Sequence, residues 1–223
     1  EYEDNQHYLF GHYFRNIFER ALARLPYINT LAKIDMNSVQ VWVSPNPREI
    51  NNLRQVVAFS DLGEFDRFNG VDPNAWTMGQ TPVIDPQYNE KLPTNQTNKI
   101  YAEYNANPAL RQTNLVVSGL QRPPFNFAIG RDFEVFKGQL LDQREYTVHP
   151  DLGYISFRRI IRPNDIVAIS FKYTFNGKAY KVGEFTQEVA PDSLSVIVTK
   201  LLKPRSNRVD LAMWDLMMKN FYS

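Results

Sequence analysis

The chain contains no cysteine. Disulfide staples and cysteine-ligated zinc are therefore excluded. Histidine is scarce, with only His7, His12 and His149 among the 223 residues. His7 and His12 stand five apart, which on a helix turns their rings about 140° away from each other. A helical metal-binding pair needs a spacing of four. No third ligand accompanies them, so no metal set is legible and no cofactor is expected. An excess of charge is also missing: 25 Lys and Arg stand against 24 Asp and Glu, leaving +1. No strong field toward nucleic acid or anionic lipid follows. No apolar run reaches the roughly 18–20 residues of a membrane-spanning helix. That test says nothing about a membrane β-strand, whose alternating signal is much shorter.

Catalytic signatures are missing as well. There is no GxGxxG, no phosphate loop, no GxSxG and no SxxK. The acidic stretch DLGEFD holds Asp61, Glu64 and Asp66 after a strand end. Asp61 and Glu64 are the one pair that could divide acid and base roles if a pocket split their proton affinities. Their spacing is not that of a calcium loop, and a polar loop start explains them equally well. The stretch YTVHPDLGYISF, Tyr146 to Phe157, carries His149 and Asp151. Pro150, Asp151 and Gly153 stand in turn order, with Gly153 placed to accept a positive φ. We read it as a hairpin corner. Asn95 opens an NQT triplet that matches a glycosylation acceptor, a match frequent by chance. Lys172 alternates with apolar neighbours, as on the outer face of a half-buried strand and not as on a nucleic-acid surface.

What is present describes a globular chain. It is 43% hydrophobic and 22% charged, which suffices for a sizeable core. Residues 7–25 carry a helical stripe of Phe14, Ile17, Phe18, Ala21, Leu22 and Leu25, stopped by Pro26. The period then falls to two in SVQVWVS, which ends at Pro45-Asn46-Pro47, and QVVAF is expected to return beside it. Residues 64–98 have no period and hold four prolines, yet include Phe65, Phe68, Trp76 and Tyr88. Such a loop packs its aromatics on the body or serves as a partner-binding excursion. Helix returns at 99–106, and Asn107-Pro108 caps a second one through PALRQTNLVVSGL. From about Asp132 the chain reads as strands: RDFEVF, the hairpin above, a turn at Asn164-Asp165, IVAISFKYTF, KAYKVGEF and Leu194–Leu201. Asn176-Gly177 is the strongest hairpin signal in the sequence. Trp214, Met217, Met218 and Phe221 recur at helical spacing.

The expected fold is α+β: a β-rich antiparallel sheet or sandwich with an amphipathic N-terminal helix and a few short helices. We divide it as helix plus strands (1–63), a long Pro/Asn-rich loop (64–98), a helical part (99–130), an antiparallel meander (131–203), and a linker with a terminal helix (204–223). The start at Glu1 and the apolar, aromatic ending MWDLMMKNFYS suggest one internal domain of a larger chain.

Five stretches together resemble a known family: NQHYLFGHYFR, VVAFSDLGEFDR, GRDFEVF with REYTVHPDLGYISF, YTFNGKAYKVGEF and LAMWDLMMKNFYS. They are similar, in the same order and over nearly all of the chain, to an internal region of the SprA/Sov family. These are the giant outer-membrane translocon proteins of the type IX secretion system. The resemblance implies a non-enzymatic structural and interaction domain, associated with the outer membrane through its parent chain. Its partners would be the rest of that barrel chain, other type IX components and transiting cargo, in protein export and gliding motility. No catalytic, cofactor or metal residues carry over. Trp76, Tyr88, Trp214, Met217 and Phe221 are candidate partner contacts, and Gly153, Asn176 and Gly177 are structural turns. The alternative is an adhesin-like ligand-binding β-domain on the cell surface.

Overall fold

A computed structural model describes residues 2–3, 6–24, 30–45, 53–67, 70–190, 195–219 and 221–222. The strands are β1 (Tyr2–Glu3), β2 (His7–Leu9), β3 (Ala32–Ile34), β4 (Gln40–Val43), β5 (Leu53–Phe59), β6 (Ile84–Asp85), β7 (Glu90–Lys91), β8 (Phe133–Leu140), β9 (Tyr146–His149), β10 (Tyr154–Phe157), β11 (Val167–Phe175), β12 (Lys178–Val182), β13 (Ile197–Lys203) and β14 (Phe221–Tyr222). The helices are α1 (His12–Leu22), α2 (Pro73–Thr77), α3 (Ile100–Ala106) and α4 (Val116–Leu120). The fold is α+β and β-rich, with mostly antiparallel pairing, and with β5 and β13 paired in parallel.

The largest sheet closes on itself. β4 pairs with β8, β8 with β5, β5 with β13, β13 with β11, and β11 with β4. Ring closure leaves no free edge among these strands. The long strand β11 explains the change of pattern along its length. Its first residues, Val167–Ser170, sit between β13 and β4 inside the ring. Its later residues leave the ring and pair with β3 and β12. Val167 to Phe171 are all buried, whereas Lys172 and Thr174 return to solvent. Asn176 and Gly177 adopt φ of 48° and 77°, the conformation that the β11–β12 hairpin requires.

A second sheet, β2-β10-β9, lies beside the ring. Helix α1 joins the two through aromatic contacts. Phe14 meets Phe171 at 5.9 Å and Tyr173 at 5.6 Å between ring centroids, and Phe10 meets Phe171 at 4.9 Å. One contiguous buried cluster runs from Tyr8 to Met218.

Several expectations are corrected. Residues 7–9 form a strand, so the helix starts at His12. β5 does not lie beside β4, because β8 is inserted between them. PALRQTNLVVSGL breaks into a 3-10 turn at Pro108–Arg111 and the separate helix α4. The terminal helix is instead a 3-10 turn at Ala212–Leu216 followed by β14, which pairs with β1. At 7–9 and 221–222 the backbone groups that a helix would satisfy internally are taken by strands distant in sequence. Leu22, on the expected apolar stripe, is 43% exposed. Leu25, Pro26, Asn46, Pro47, Phe68 and Leu194 lie outside the described residues, as does the side chain of Phe221.

The described residues of 64–98 include α2 and the β6–β7 hairpin. Trp76 is buried and stacks on Phe125 at 5.3 Å and Phe127 at 5.0 Å. The β6–β7 hairpin is clipped to α1. The Tyr13 hydroxyl donates to Asp85 Oδ2 at 2.8 Å, and the Arg20 guanidinium donates to the Tyr88 carbonyl at 2.9 Å.

Candidate functional site

The residues with the greatest chemical capacity meet in a buried polar cluster where three segments join. β5 delivers the loop Ser60-Asp61-Leu62-Gly63-Glu64, α1 brings His12 at its first turn, and β13 brings Lys200. Glu64, His12, Asp61 and Lys200 are 6%, 4%, 3% and 1% exposed. Glu64 Oε1 accepts from the His12 backbone N–H at 3.2 Å, faces His12 Nδ1 at 3.3 Å and Lys200 Nζ at 3.2 Å. The first contact supplies the helix cap that Gly11 lacks a side chain to give, and puts a carboxylate at the positive end of the dipole. His12 Nε2 donates to the Ala212 carbonyl at 3.0 Å. The ring thus faces an acceptor at each nitrogen. Lys200 Nζ also donates to the Ser60 carbonyl.

The two carboxylates are pushed in opposite directions. Burial raises Glu64, but Lys200 and His12 outweigh it and hold the carboxyl well below its usual range. Burial raises Asp61 to about 8, with Glu64 and Asp132 adding to the rise and Lys200 opposing it. Among the described residues, Asp61 Oδ1 has no hydrogen-bond partner. Asn98 ties the loop down from the other side. Its amide donates to the Asp61 carbonyl at 2.7 Å and to the Glu64 carbonyl at 2.6 Å, while its Oδ1 accepts from Ile100 N–H at the start of α3.

Split carboxylates are the pattern of an acid/base pair, but the surroundings here are those of a lock. The contacts of the Glu64 carboxylate with His12 and Lys200 each join one chain segment to another. The adjacent cleft of about 170 Å³ is lined by His12, Tyr13, Asn16, Glu64, Arg67 and Lys91 among others, and Asp61 does not line it. Among the described residues, no group of three or more His, Asp or Glu is placed to hold a metal ion. Among the same residues, no helix is long and apolar enough to cross a membrane.

The hairpin corner is likewise used to join segments. Gly153 has φ of 67°, and its carbonyl accepts from Phe10 N–H at 3.0 Å. The Pro150 carbonyl accepts from Ile34 N–H at 3.1 Å, and Asp151 pairs with Lys33 at 3.3 Å. His149 points elsewhere: its Nε2 lies 3.0 Å from Ser156 Oγ, and its ring stacks on Tyr154 at 4.0 Å.

The remaining sequence candidates fall into two groups. Trp76, Tyr88 and Met217 are buried, whereas Trp214 is half-buried with Lys219 over its ring at 4.2 Å. Met217 lines a groove of about 330 Å³ with Leu9, Phe18 and Met218, rimmed by Arg15, Glu19, Asp215 and Lys219. Asn95 is 2% exposed, and its amide bonds both the N–H and the carbonyl of Gly183, so the NQT triplet is structural.

Sequence reasoning missed the buried cations. Lys203 is 2% exposed and donates to the carbonyls of Pro163 and Asp165 at 2.5 and 2.7 Å, while burial lowers its ionisation to about 8. Arg111 bonds Glu184 and the Val196 carbonyl, fastening the helical part to β13. The signal for the lysines was available in VIVTKLLK, two cations inside an otherwise apolar strand. Nothing local announced Arg111. No protein-family model matches the sequence, and no curated protein matches it either.

Proposed function

We propose that this chain is a non-enzymatic structural and interaction domain of the type IX secretion translocon in the bacterial outer membrane. The observation that carries the reading is how the stretches resembling the SprA/Sov family are used. NQHYLFGHYFR provides β2 and the start of α1, VVAFSDLGEFDR provides β5 and Glu64, and LAMWDLMMKNFYS provides Ala212. These meet through His12, which faces Glu64 at 3.3 Å and donates to Ala212 at 3.0 Å. The charged side chains of the cluster join chain segments, which supports a scaffold role. The groove lined by Met217 and Met218 offers an apolar floor with a charged rim, the anatomy of a contact surface for a partner or for the parent barrel.

A second reading, the adhesin-like domain, draws on a different cleft. Gln40, Lys172, Phe185, Gln187 and Glu188 line a polar depression of about 430 Å³. Convergent polar groups in a concavity are what a ligand site needs. Gln40 is already engaged, since its amide bonds Thr186 at both ends.

The test is deletion of the segment matching residues 1–223 from the full-length protein, with a blot confirming that the remainder reaches the outer membrane. Loss of type IX cargo release with the barrel intact supports the translocon role. Normal release transfers weight to the adhesin-like reading.

A further inference from the structure

The balanced charge of the whole chain conceals a local excess. The stretches 158–165, RRIIRPND, and 203–210, KPRSNRVD, hold six Lys and Arg against two Asp. They are distant in sequence but leave the large sheet together, because Val167 of β11 lies opposite Lys203 of β13. One buried ammonium fastens them. Lys203 Nζ donates to the carbonyls of Pro163 at 2.5 Å and Asp165 at 2.7 Å in the first stretch, and to that of Pro204 at 3.3 Å in the second. Each stretch is closed by a tight turn: Asp165 N–H donates to the Arg162 carbonyl at 3.1 Å, and Leu211 N–H to the Arg208 carbonyl at 3.1 Å.

Each stretch also carries a bare aliphatic side chain. Ile160 is 81% exposed and Val209 75%, and no other large apolar side chain among the described residues is as exposed. Ile161 is buried in the core, so its neighbour Ile160 is turned outward. Cations accompany both tips. Arg158, Arg162, Arg205 and Arg208 are exposed. Carboxylates occupy part of the set: Glu145 meets Arg159 at 3.2 Å, and Asp210 meets Arg208 at 3.1 Å. Asp165 and Glu134 are engaged by backbone instead, accepting from the N–H groups of Arg162 at 2.9 Å and Arg205 at 3.0 Å. Among the described residues, the guanidinium groups of Arg162 and Arg205 are in no ion pair.

Aliphatic tips set among arginines fit one kind of partner. A guanidinium matches phosphate oxygens with paired hydrogen bonds. An aliphatic tip gains only where hydrocarbon lies behind those phosphates. We propose that the stretches 158–165 and 203–210 form a membrane-contacting surface, with Arg162 and Arg205 on the headgroups of anionic phospholipid and Ile160 and Val209 entering the acyl boundary. A free phosphate or a nucleic acid would engage the arginines and leave both tips in water, so the apolar pair decides for lipid. The attachment is peripheral and reversible, since two side chains and a few cations do not insert a chain. The inference does not rest on the translocon reading, which uses none of these residues.

The probe is phosphatidylcholine vesicles, alone or with about one third phosphatidylglycerol, floated with the whole 223-residue chain. Flotation with the anionic vesicles only is expected, weakening as salt is raised. The chain has no cysteine, so Ile160→Cys accepts a single environment-sensitive dye, whose emission should shift to the blue on the anionic vesicles. The same dye on Ala179→Cys, exposed on β12, should not shift. Ile160→Ser with Val209→Ser should weaken flotation at least about tenfold, and Arg162→Gln with Arg205→Gln by a similar factor. All four residues are exposed, so both double variants should keep the parent's thermal melt. The proposal is overturned if the chain does not float with the anionic vesicles, if the double serine variant floats unchanged, or if the dye at 160 does not shift. Binding to duplex DNA as tight as to the vesicles, and unchanged by the serine substitutions, would mark a plain anion-binding patch and overturn it as well.

Discussion

Gly153 and Phe14 meet where no β-carbon fits: a Cβ built on Gly153 would sit 2.2 Å from Phe14 Cδ1. The turn of the β9–β10 hairpin is thereby pressed against the ring that also touches Phe171 and Tyr173. Gly153→Ala combines an impossible contact with a strained φ of 67°, and should destabilise by about 2–4 kcal/mol. Gly177→Ala shares the positive φ but meets nothing within 4 Å, so it should cost only about 1 kcal/mol. Urea unfolding of the two variants measures the difference, which is the contribution of the Phe14 contact. Equal losses would refute that contact.

Lys200 and Glu64 form a buried pair, and removing one partner strands the other. Lys200→Met or Glu64→Gln should each destabilise by about 3–5 kcal/mol. The double variant should lose less than the sum, with a coupling of about 1–3 kcal/mol in a double-mutant cycle. Additive losses would mean that the pair makes no specific interaction.

Asp61 sets a pH dependence of known sign. Its folded carboxyl is raised from 3.8 to about 8. The unfolded state therefore releases this proton first, and the stability from the group is fully present below 3.8 and lost as pH rises toward 8. Glu64 acts oppositely, since its folded ionisation is lowered and its contribution is lost as pH falls below its ordinary 4.5. Asp61→Asn should flatten the decline between 3.8 and about 8 and leave the loss at lower pH, set by Glu64, unchanged. Thermal melts across the pH range check both limbs, and an unchanged decline over that window would contradict the assignment.

Asn95 should remain unmodified when the folded protein meets a glycosylation machinery, because its amide is bonded to Gly183 on both sides. Asn95→Ala leaves the Gly183 N–H and carbonyl unpaired in a buried place, at a cost of about 2 kcal/mol. Intact-mass analysis of secreted material tests the first statement and chemical unfolding the second. A glycan on Asn95 in folded protein would show that the site opens.

The sequence was most informative where chemistry is local. Asn176-Gly177 announced a hairpin because few residues accept two positive φ angles in succession. YTVHPDLGYISF announced another through Pro150, Asp151 and Gly153 standing in turn order. Asn107-Pro108 marked a helical start, and the Phe14–Ala21 stripe marked α1. It misled at His7 to Leu9, where the apolar spacing suits a helix, but the backbone instead pairs with Tyr154 to Ser156. It placed β5 beside β4, because nothing in either strand shows that β8, some 75 residues further on, fits between them.

The candidate sites divide in the same way. Composition by itself excluded disulfides and cysteine-ligated metal, and short-range turn chemistry by itself determined that His149 and Asp151 stand at a corner. Which side chains meet was decided only by the tertiary structure. Ring closure of the large sheet brings Lys200 to Glu64, and the β2-β10-β9 register sets His7 and His149 on Ser156. Backbone preference acts over a few residues and is written in the local sequence. Contact between buried charges, and convergence of two imidazoles on one hydroxyl, depends on strand order and register, which no single stretch of the chain contains.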